Sequence, residues 1–314
     1  MSEDGRLRLT IVGGFLGSGK TTWLRHQLFE GRFSDAHVIV NEAAGTPVDH
    51  GLLSAASRQT VLAGGCACCA GATAFQNALL NICDARSQQS GTGRIKQLVL
   101  ETSGLADPGA IVDLIQSHPV LIRHIIVHQI LVVVDALNGQ TALQTQPIAY
   151  AQIRAADRLI LNKTDIADAR KLAQFRHVLA TLAPGATQSG ASFGGTTNLP
   201  DATEGGDLPD LAMDGPPIVT CQLDLGSDPD WTALTLWLSA VLHARGDKIV
   251  RVKGIIASPA GRLLVQAVRD RVQSPEVLPA TKGPEPDDNM LVLIGTDLSV
   301  DAVARSFQQV EDAG

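Results

Sequence analysis

No hydrophobic run in the sequence is long enough to cross a bilayer. The most apolar stretch, Ile125–Leu137, is short and is interrupted by His128, Gln129 and Asp135, whereas a membrane-spanning helix needs about 20 apolar residues. The first residues, Met1–Leu9, alternate charged and apolar side chains and so do not form the apolar core of a secretory signal. We therefore expect a cytoplasmic protein with no membrane partner.

Positive charge is not in excess either. The 314 residues include 25 Lys and Arg against 32 Asp and Glu, which gives a net charge of −7 and a pI near 5.6. Nucleic acids attract proteins through a basic face, so we expect no nucleic-acid partner. Hydrophobic residues make up 45% of the chain, which is typical of a globular protein of about two domains. Small molecules and proteins remain as partners.

Cysteines are few, and their spacing does not suit a disulfide framework. Three of the five fall within Cys66–Cys69, whereas Cys83 and Cys221 stand alone. Adjacent cysteines such as Cys68 and Cys69 seldom reach the geometry of a mutual disulfide. The distribution favours a thiol site in a reducing compartment.

Apolar strands alternate with helix-like segments through the first part of the chain. The periodicity predicts helices over Thr21–Phe29 and Ala167–Leu182. The predicted strands are Leu7–Val12, His37–Val40, Gln97–Leu100, Ile130–Val134 and Arg158–Leu161. Strands rich in Val, Ile and Leu that are separated by helices indicate an α/β fold, with a mostly parallel sheet covered on both faces.

The composition changes between Ser189 and Pro217, where Gly, Pro, Thr and acidic residues dominate and no Lys or Arg occurs. We interpret this segment as an exposed linker. The elements predicted beyond it are strands at Ile218–Leu223, Ile249–Ala257, Leu263–Arg269 and Met290–Ile294, with helices over Trp231–Arg245 and from Ser299. They favour a smaller α+β domain with helices on one face of an antiparallel sheet. The expected organisation is a first domain at 1–188, a linker at 189–217 and a second domain at 218–314.

A phosphate-binding motif follows the first predicted strand. Residues 14–21 satisfy the pattern G-x-x-x-x-G-K-[ST], and the required strand and helix flank it. Backbone N–H groups of such a loop surround a polyphosphate, Lys20 would neutralise the β- and γ-phosphates, and Thr21 would offer its hydroxyl to Mg²⁺. We count Lys20 as catalytic as well as binding. The nucleotide-binding residues expected here are Gly14, Gly17, Ser18, Gly19, Lys20, Thr21 and Thr22.

A second motif indicates the base. Asn162, Lys163 and Asp165 form an Asn-Lys-x-Asp sequence directly after the predicted strand Arg158–Leu161. A carboxylate at that position can accept both the ring N–H and the exocyclic amine of guanine, whereas adenine presents an acceptor there. We therefore predict that Asp165 recognises guanine, that Asn162 braces neighbouring loops and that Lys163 lies over the base, so that the nucleotide is GTP.

An acid ends the predicted strand Gln97–Leu100. Glu101 stands where a nucleotide-hydrolysing enzyme needs a carboxylate to hold the Mg²⁺ shell or a water molecule, and we predict a catalytic role for it. The alternative is that Glu101 caps the next helix, although Asp107 and Pro108 already have the pattern of a helix start.

The cysteine cluster is a candidate metal site. Thiolates favour Zn²⁺, Cu⁺ and other late transition metals over Mg²⁺. Cys66, Cys68 and Cys69 do not complete a tetrahedral shell by themselves, so another ligand is needed, and Glu42 and His50 are candidates. The alternative is that the cysteines are small buried hydrophobic residues.

Taken together, these motifs resemble those of the CobW-type metal-chaperone GTPases, the CobW/HypB/UreG-like phosphate-loop GTPases. Their order along the chain matches as well, and Arg251-Val252-Lys253-Gly254 is similar to the signature of the family's C-terminal domain. The motifs that carry the likeness are Gly13–Thr22, Asn41-Glu42, Gly65–Cys69, Glu101–Pro108 and Asn162–Asp165. The resemblance therefore spans nearly the whole chain.

The resemblance implies a GTPase domain, an α+β C-terminal domain and delivery of a transition metal such as zinc or cobalt to a client metalloprotein. It also implies that Cys66, Cys68 and Cys69 bind the metal, with Glu42 near by. Asp49 aligns with an acid of the family's first switch region, which implies a contact with Mg²⁺.

The chain departs from the family pattern in three places. Residues 43–45 are Ala, Ala and Gly, where the family usually carries an aromatic residue, a glycine and a second acid, and Gly64 replaces a usual asparagine. The predicted linker also has no histidine-rich tract of the kind that many relatives carry. Zinc and cobalt both remain open as the metal.

We hypothesise that GTP and Mg²⁺ order residues 42–49 and, through the chain that leads to Glu101, the Cys66–Cys69 loop, so that metal affinity depends on the nucleotide. The sequence offers no evident arginine finger or water-orienting glutamine, so we expect slow intrinsic hydrolysis. Two alternatives remain: a GTP-dependent assembly factor that activates a metalloenzyme without carrying metal, and a small-molecule kinase whose cysteines are structural. A nucleotide-dependent homodimer is a further expectation.

Overall fold

The computed structural model describes residues 5–42, 58–63, 71–88, 94–205, 218–246, 248–258, 261–268, 271–278 and 288–311. The chain divides into two compact units, one formed by Arg6–Asp214 and the other mainly by Gly215–Gly314. None of the helices within the described residues is both long and apolar enough to cross a membrane.

An eight-stranded sheet forms the centre of the first unit. Its strands are β1 (Leu7–Gly13), β2 (Ala36–Glu42), β3 (Arg58–Ala63), β4 (Gln97–Glu101), β5 (Ile125–Asp135), β6 (Arg158–Asn162), β7 (Thr187–Ser192) and β8 (Gly195–Thr197). They lie in the order β3-β2-β4-β1-β5-β6-β7-β8, and every neighbouring pair is parallel except β7 and β8. The mostly parallel sheet confirms the predicted fold class.

Helices connect these strands. They are α1 (Lys20–Phe29), α2 (Ala72–Ser87), α3 (Pro108–Ser117), α4 (Leu121–His124), α5 (Gly139–Thr145), α6 (Pro147–Ala155) and α7 (Ala169–Leu182). Two begin with aspartate caps, because the side chain of Asp107 accepts a hydrogen bond from the N–H of Gly109, and that of Asp168 accepts one from the N–H of Lys171. The central strands are buried along almost their whole length, as expected for a sheet covered on both faces.

The predicted exposed linker begins too early, because β7 and β8 lie within or across its start. Ala191 is buried and pairs with Asn162 of β6, and Thr196 pairs with Ala191. A Cβ at Gly190 would lie 2.5 Å from the Thr197 hydroxyl oxygen, so only a residue without a side chain fits this pairing. The first unit therefore extends at least to Thr197, and not to residue 188 as predicted from composition.

The second unit contains an antiparallel sheet with helices packed on one face. Its strands are β9 (Ile218–Asp224), β10 (Ile249–Ser258), β11 (Gly261–Val268), β12 (Arg271–Val272), β13 (Glu276–Val277) and β14 (Met290–Thr296), and its helices are α8 (Trp231–Arg245) and α9 (Val300–Glu311). The order is β12-β11-β10-β14-β9, and β13 pairs with β11. All of these pairs are antiparallel.

The core of the second unit follows the alternation of its strands. Val252, Leu293 and Cys221 lie side by side in register and are buried on the face that the helices cover. On the helices, the rings of Trp237 and Phe307 meet edge to face with centroids 5.3 Å apart. This arrangement confirms the predicted α+β architecture.

Candidate nucleotide and metal site

The loop between β1 and α1 has a backbone that requires glycine. Gly14, Gly17 and Gly19 have φ values of 137°, 72° and 89°, which residues with a side chain rarely adopt. A Cβ at Gly14 would lie 2.2 Å from the carbonyl oxygen of Val133, and one at Gly19 would lie 2.3 Å from Nδ2 of Asn162. The predicted phosphate loop is therefore shaped by close contacts with β5 and with Asn162, the last residue of β6.

Polar groups inside the loop fit an anion. Lys20 is 9% exposed, and its Nζ donates to the carbonyl oxygens of Gly14 at 2.8 Å and Phe15 at 3.2 Å. Ser18 is buried, and its Oγ has no hydrogen-bond partner within the described part of the chain. No side chain of the described residues caps the start of α1, so its first N–H groups and its positive dipole end remain available to a phosphate.

Two of the predicted Mg²⁺-site residues meet beside this loop. Thr21 Oγ1 donates a hydrogen bond to Oε1 of Glu101, which is the last residue of β4 and is only 4% exposed. The backbone N–H and the hydroxyl of Thr102 both donate to the carbonyl oxygen of Val12, at 3.0 and 3.3 Å, and fix the end of β4 against β1. A hydroxyl and a carboxylate are the hard oxygen ligands that Mg²⁺ prefers, so these residues fit the ion.

The helix-cap alternative for Glu101 does not match the geometry. The residue that caps α3 is Asp107, whose Oδ1 accepts from the N–H of Gly109 at 2.8 Å. Glu101 instead faces α1 through its contact with Thr21.

Two residues of the segment Asn162–Asp165 contact the phosphate loop. Asn162 Nδ2 donates to the carbonyl oxygen of Ser18 at 2.9 Å, and Lys163 Nζ donates to that of Gly17 at 2.9 Å. Asp165 is exposed, with its carboxylate accessible from solvent. Asn162 thus joins the end of β6 to the phosphate loop, whereas the contacts of Lys163 and Asp165 with a base stay a prediction.

Asp135 at the end of β5 is a site residue that the sequence reasoning missed. Its carboxylate forms an ion pair with Lys163 at 2.7 Å. Burial opposes its ionisation, but hydrogen bonds from Lys163, Asn138 and the backbone of Leu137 outweigh burial and lower the pKa of Asp135. The signal was present in the sequence, because Asp135 ends a buried strand just as Glu101 does.

Gln152 of α6 is the second missed residue. Its Nε2 donates to the carbonyl oxygens of Gly104 at 3.1 Å and Ala106 at 2.8 Å, and its side chain is fully buried. A Cβ at Gly104 would lie 2.5 Å from Leu16 Cδ2, so the turn after Glu101 packs closely on the phosphate loop. Gln152 also lines a cavity of about 370 Å³ that borders Phe15–Ser18.

The predicted metal ligands lie almost entirely outside the described residues. This holds for Cys66, Cys68, Cys69 and Asp49. Glu42 ends β2 and pairs in register with Ala63, the last residue of β3, so its backbone lies at the sheet edge from which the cysteine segment continues. Among the residues that are described, no group of three His, Cys, Asp or Glu side chains could hold a metal ion.

The two cysteines that the structure describes lie in environments that do not favour metal binding. Cys83 and Cys221 are both buried and unpaired with another cysteine. Burial raises the pKa of Cys83 to about 11 and also raises that of Cys221. Both thiols therefore stay protonated near neutral pH, in contrast to the thiolates that bind metals.

Comparison with known proteins matches each of the two units to a domain family. Residues 8–189 match the family model for the CobW/HypB/UreG nucleotide-binding domain, and residues 218–311 match that for the cobalamin synthesis protein cobW C-terminal domain. The family match covers more than half of the chain.

Three similar curated proteins have names that state a function. The zinc chaperone YjiA of Escherichia coli is 29% identical, over 96% of this chain and 98% of that protein, and the zinc chaperone CobW of Pseudomonas aeruginosa is 28% identical, over 98% and 92%. The zinc-regulated GTPase metalloprotein activator 1 of Schizosaccharomyces pombe is 30% identical, over 54% of this chain and 42% of that protein.

A solved structure shares the fold. The Zn(II)-bound YjiA GTPase from E. coli aligns with a TM-score of 0.60 and 23% identity, over 97% of this chain and 99% of that one.

Proposed function

Since this chain belongs to the CobW/HypB/UreG family of nucleotide-binding proteins, we propose that it is a GTP-hydrolysing metallochaperone that delivers a transition metal to a client metalloprotein. The observation that carries the proposal is the contact between Thr21 and Glu101 at the start of α1, which no side chain of the described residues caps. The metal is zinc, because the similar proteins are named as zinc chaperones. The family assignment favours this function over a small-molecule kinase.

Hydrolysis is assigned to residues around the phosphate loop. Thr21 and Glu101 would hold Mg²⁺, with Asp49 as a further ligand, and the bound ion would neutralise charge on the β- and γ-phosphate oxygens. Lys20 places its ammonium group over the phosphates. Glu101 also orients a water molecule through its carboxylate. Hydrolysis itself does not depend on which nucleobase is bound, because it depends on the positions and charges of the groups around the phosphates.

Base choice is assigned to Asp165, whose carboxylate accepts hydrogen bonds from the ring N–H and the exocyclic amine of guanine. The exposure of Asp165 at the end of the loop after β6 is compatible with this role. Asn162 and Lys163 keep that loop against Ser18 and Gly17. Base recognition and phosphate binding are thereby held in one rigid arrangement.

The cargo metal is assigned to Cys66, Cys68, Cys69 and Glu42. Thiolates select a soft or borderline cation over Mg²⁺, so the two metal sites take different ions. With Glu42 as the exchangeable fourth ligand beside three thiolates, a client can take the metal by displacing that carboxylate. Delivery takes place in the cytoplasm, and a nucleotide-dependent homodimer is part of the proposal.

Strand register supplies the route between the two sites. Glu42 pairs with Ala63 at the ends of β2 and β3, and Val40 of β2 pairs with Glu101 of β4. Because neighbouring strands lie about 4.8 Å apart, β3 lies about 14 Å from β1 across this edge of the sheet. A nucleotide that shifts Glu101 therefore acts next to the strand that carries Glu42.

The test is zinc affinity measured by chelator competition, with Mg²⁺ fixed, with and without a non-hydrolysable GTP analogue. We expect tighter zinc binding with the analogue, and equal tightening of the analogue by zinc, because coupling between two ligands is reciprocal. A hundredfold effect corresponds to about 2.7 kcal/mol.

Cys68→Ser should abolish stoichiometric zinc binding, whereas Cys83→Ala is the matched control, since Cys83 is buried in α2 and burial raises the pKa of its thiol. If zinc binds equally well to Cys68→Ser, the chain is an activator that does not carry metal in this loop. If the analogue leaves zinc affinity unchanged, the proposed coupling is wrong.

A further inference from the structure

Phe193, in the turn between β7 and β8, is an exposed aromatic residue in a conformation that aromatic residues rarely adopt. Its side chain is 79% exposed and its φ is 48°. Bulky residues seldom occupy this left-handed region, and such strained positions concentrate at ligand-binding sites. Lys163 is the other non-glycine residue with positive φ among the described residues of the first unit.

The turn that carries Phe193 is fixed to α1. Gln27 Nε2 donates to the carbonyl oxygen of Gly194 at 2.9 Å, and the Gln27 side chain is buried. Gly194 has a φ of 94°, and a Cβ there would lie 2.2 Å from Cβ of His26. The backbone of the turn thus packs directly on the helix that begins at the phosphate loop, which holds Phe193 in place without burying its ring.

Strand pairing places Phe193 beside the proposed base-recognition loop. Asn162 of β6 pairs with Ala191 of β7, and the carbonyl oxygen of Ala191 accepts from the N–H of Thr164 at 3.3 Å and from its hydroxyl at 3.1 Å. Phe193 follows Ala191 closely, so it leaves β7 at the sheet edge where Lys163 and Asp165 leave β6. Lys163 and Phe193, which both have a left-handed backbone, therefore follow the paired residues Asn162 and Ala191 on neighbouring strands.

We propose that Phe193 forms an aromatic wall of the guanine site, and that its ring packs on the purine while Asp165 accepts the hydrogen bonds from the base edge. The inference rests on the proposed GTP-binding function and adds a residue to it. Every base presents a π-face to an aromatic side chain, so Phe193 contributes affinity and Asp165 contributes base choice. The alternative occupant of this exposed ring is a protein partner.

The test compares GDP binding to the wild type, Phe193→Ala and Phe193→Trp in the presence of Mg²⁺. Loss of one base-stacking side chain predicts a Kd for GDP about tenfold higher in Phe193→Ala. Phe193→Trp should keep the wild-type affinity, and GDP should quench the added indole fluorescence beyond the wild-type background. Phe29→Ala is the matched control, because Phe29 is also 79% exposed but lies at the far end of α1.

Inorganic tripolyphosphate separates stacking from distortion of the phosphate loop. It contains no base, so its affinity should be the same for the wild type and Phe193→Ala. If Phe193→Ala binds GDP as tightly as the wild type, or weakens tripolyphosphate and GDP equally, the inference is overturned and the ring serves a partner or the turn itself.

Asp165→Asn tests the underlying function separately, because it should shift preference from guanine to xanthine nucleotides. If Asp165→Asn switches the base while Phe193→Ala has no effect on GDP, only the inference about Phe193 fails. If Asp165→Asn changes no preference, the proposed guanine site fails with it.

Discussion

Replacing Gln152 with leucine should weaken both the fold and the catalytic turn. The substitution removes the amide that donates to the carbonyl oxygens of Gly104 and Ala106. Those oxygens would stay buried without their donor, which costs about 1–3 kcal/mol of unfolding free energy. Part of this cost is offset, because Oε1 of Gln152 has no partner among the described residues and leucine removes it as well.

The catalytic effect follows from the position of the turn. Gly104 packs on Leu16 of the phosphate loop and follows Glu101 closely in sequence, so a looser turn misplaces the carboxylate beside Thr21. A displacement of about 1 Å at a catalytic group can lower the rate up to about a hundredfold. The affinity for GDP should change little, because the contacts of Asn162 and Lys163 with the phosphate loop remain.

The assays are urea unfolding, GTP turnover and GDP binding on the same preparations. Gln146→Leu is the matched control, since Gln146 lines the same cavity but is exposed. A Gln152→Leu protein with wild-type stability and wild-type kcat would refute the role of this side chain. A protein that loses GDP affinity as strongly as kcat would show that the phosphate loop itself has been distorted.

Three further predictions concern single residues. Gly17→Ala should lower the free energy of unfolding by about 1 kcal/mol, because alanine is strained at a φ of 72° although its Cβ would meet nothing within 4 Å. Gly14→Ala should lower it more and abolish nucleotide binding, because its Cβ would collide with the carbonyl oxygen of Val133. Urea unfolding and GDP titration compare the two variants. Ionised Asp135 stabilises the folded chain at neutral pH because its folded-state pKa is lowered, and this stabilisation is lost as the pH falls through that pKa. Asp135→Asn should therefore be less stable at neutral pH, and its urea midpoint should depend less on pH in the acid range. Cys83, whose pKa burial raises to about 11, should resist iodoacetamide in the native protein and react in urea, as mapped by mass spectrometry.

Each of these predictions has an outcome that contradicts it. Equal destabilisation by Gly14→Ala and Gly17→Ala would mean that the loop avoids the contact with Val133. An unchanged acid limb in Asp135→Asn would mean that Lys163 does not hold that carboxylate in solution. Rapid native alkylation of Cys83 would mean that α2 opens readily.

The fold was predictable wherever strands carried their own apolar side chains. β1, β4, β5 and β6 were found for that reason, and the helix over Trp231–Arg245 matches α8. β3, β7 and β8 were not predicted, and for β7 the reason is physical. Thr187–Ser192 contains no large apolar residue, so its strand depends on pairing with β6, and no local pattern in the sequence records that partner.

The site was predictable where a motif fixes the spacing of its residues. Lys20 and Thr21 begin α1 after the phosphate loop and Asn162 ends β6. Glu101 reaches Thr21 because β4 and β1, the strand that leads into the phosphate loop, are parallel neighbours that end at the same edge. Gln152 was not predictable, because a glutamine on an amphipathic helix has no signature until the turn it supports is known. Asp135 is intermediate, because it ends a buried strand as Glu101 does but belongs to no motif with fixed spacing.

The parallel arrangement of the first sheet places the candidate site residues at one edge of the sheet and leaves the opposite edge without them. Lys20, Glu101, Asp135 and Asn162 all occupy or follow the carboxyl ends of strands. The connections that enter β2 and β7, at residues 30–35 and 183–186, lie at the opposite ends; the first is largely exposed, and Pro184 and Gly185 are exposed in the second. Fluorophores or affinity tags attached at the exposed residues of those two connections should therefore leave nucleotide binding and hydrolysis unchanged.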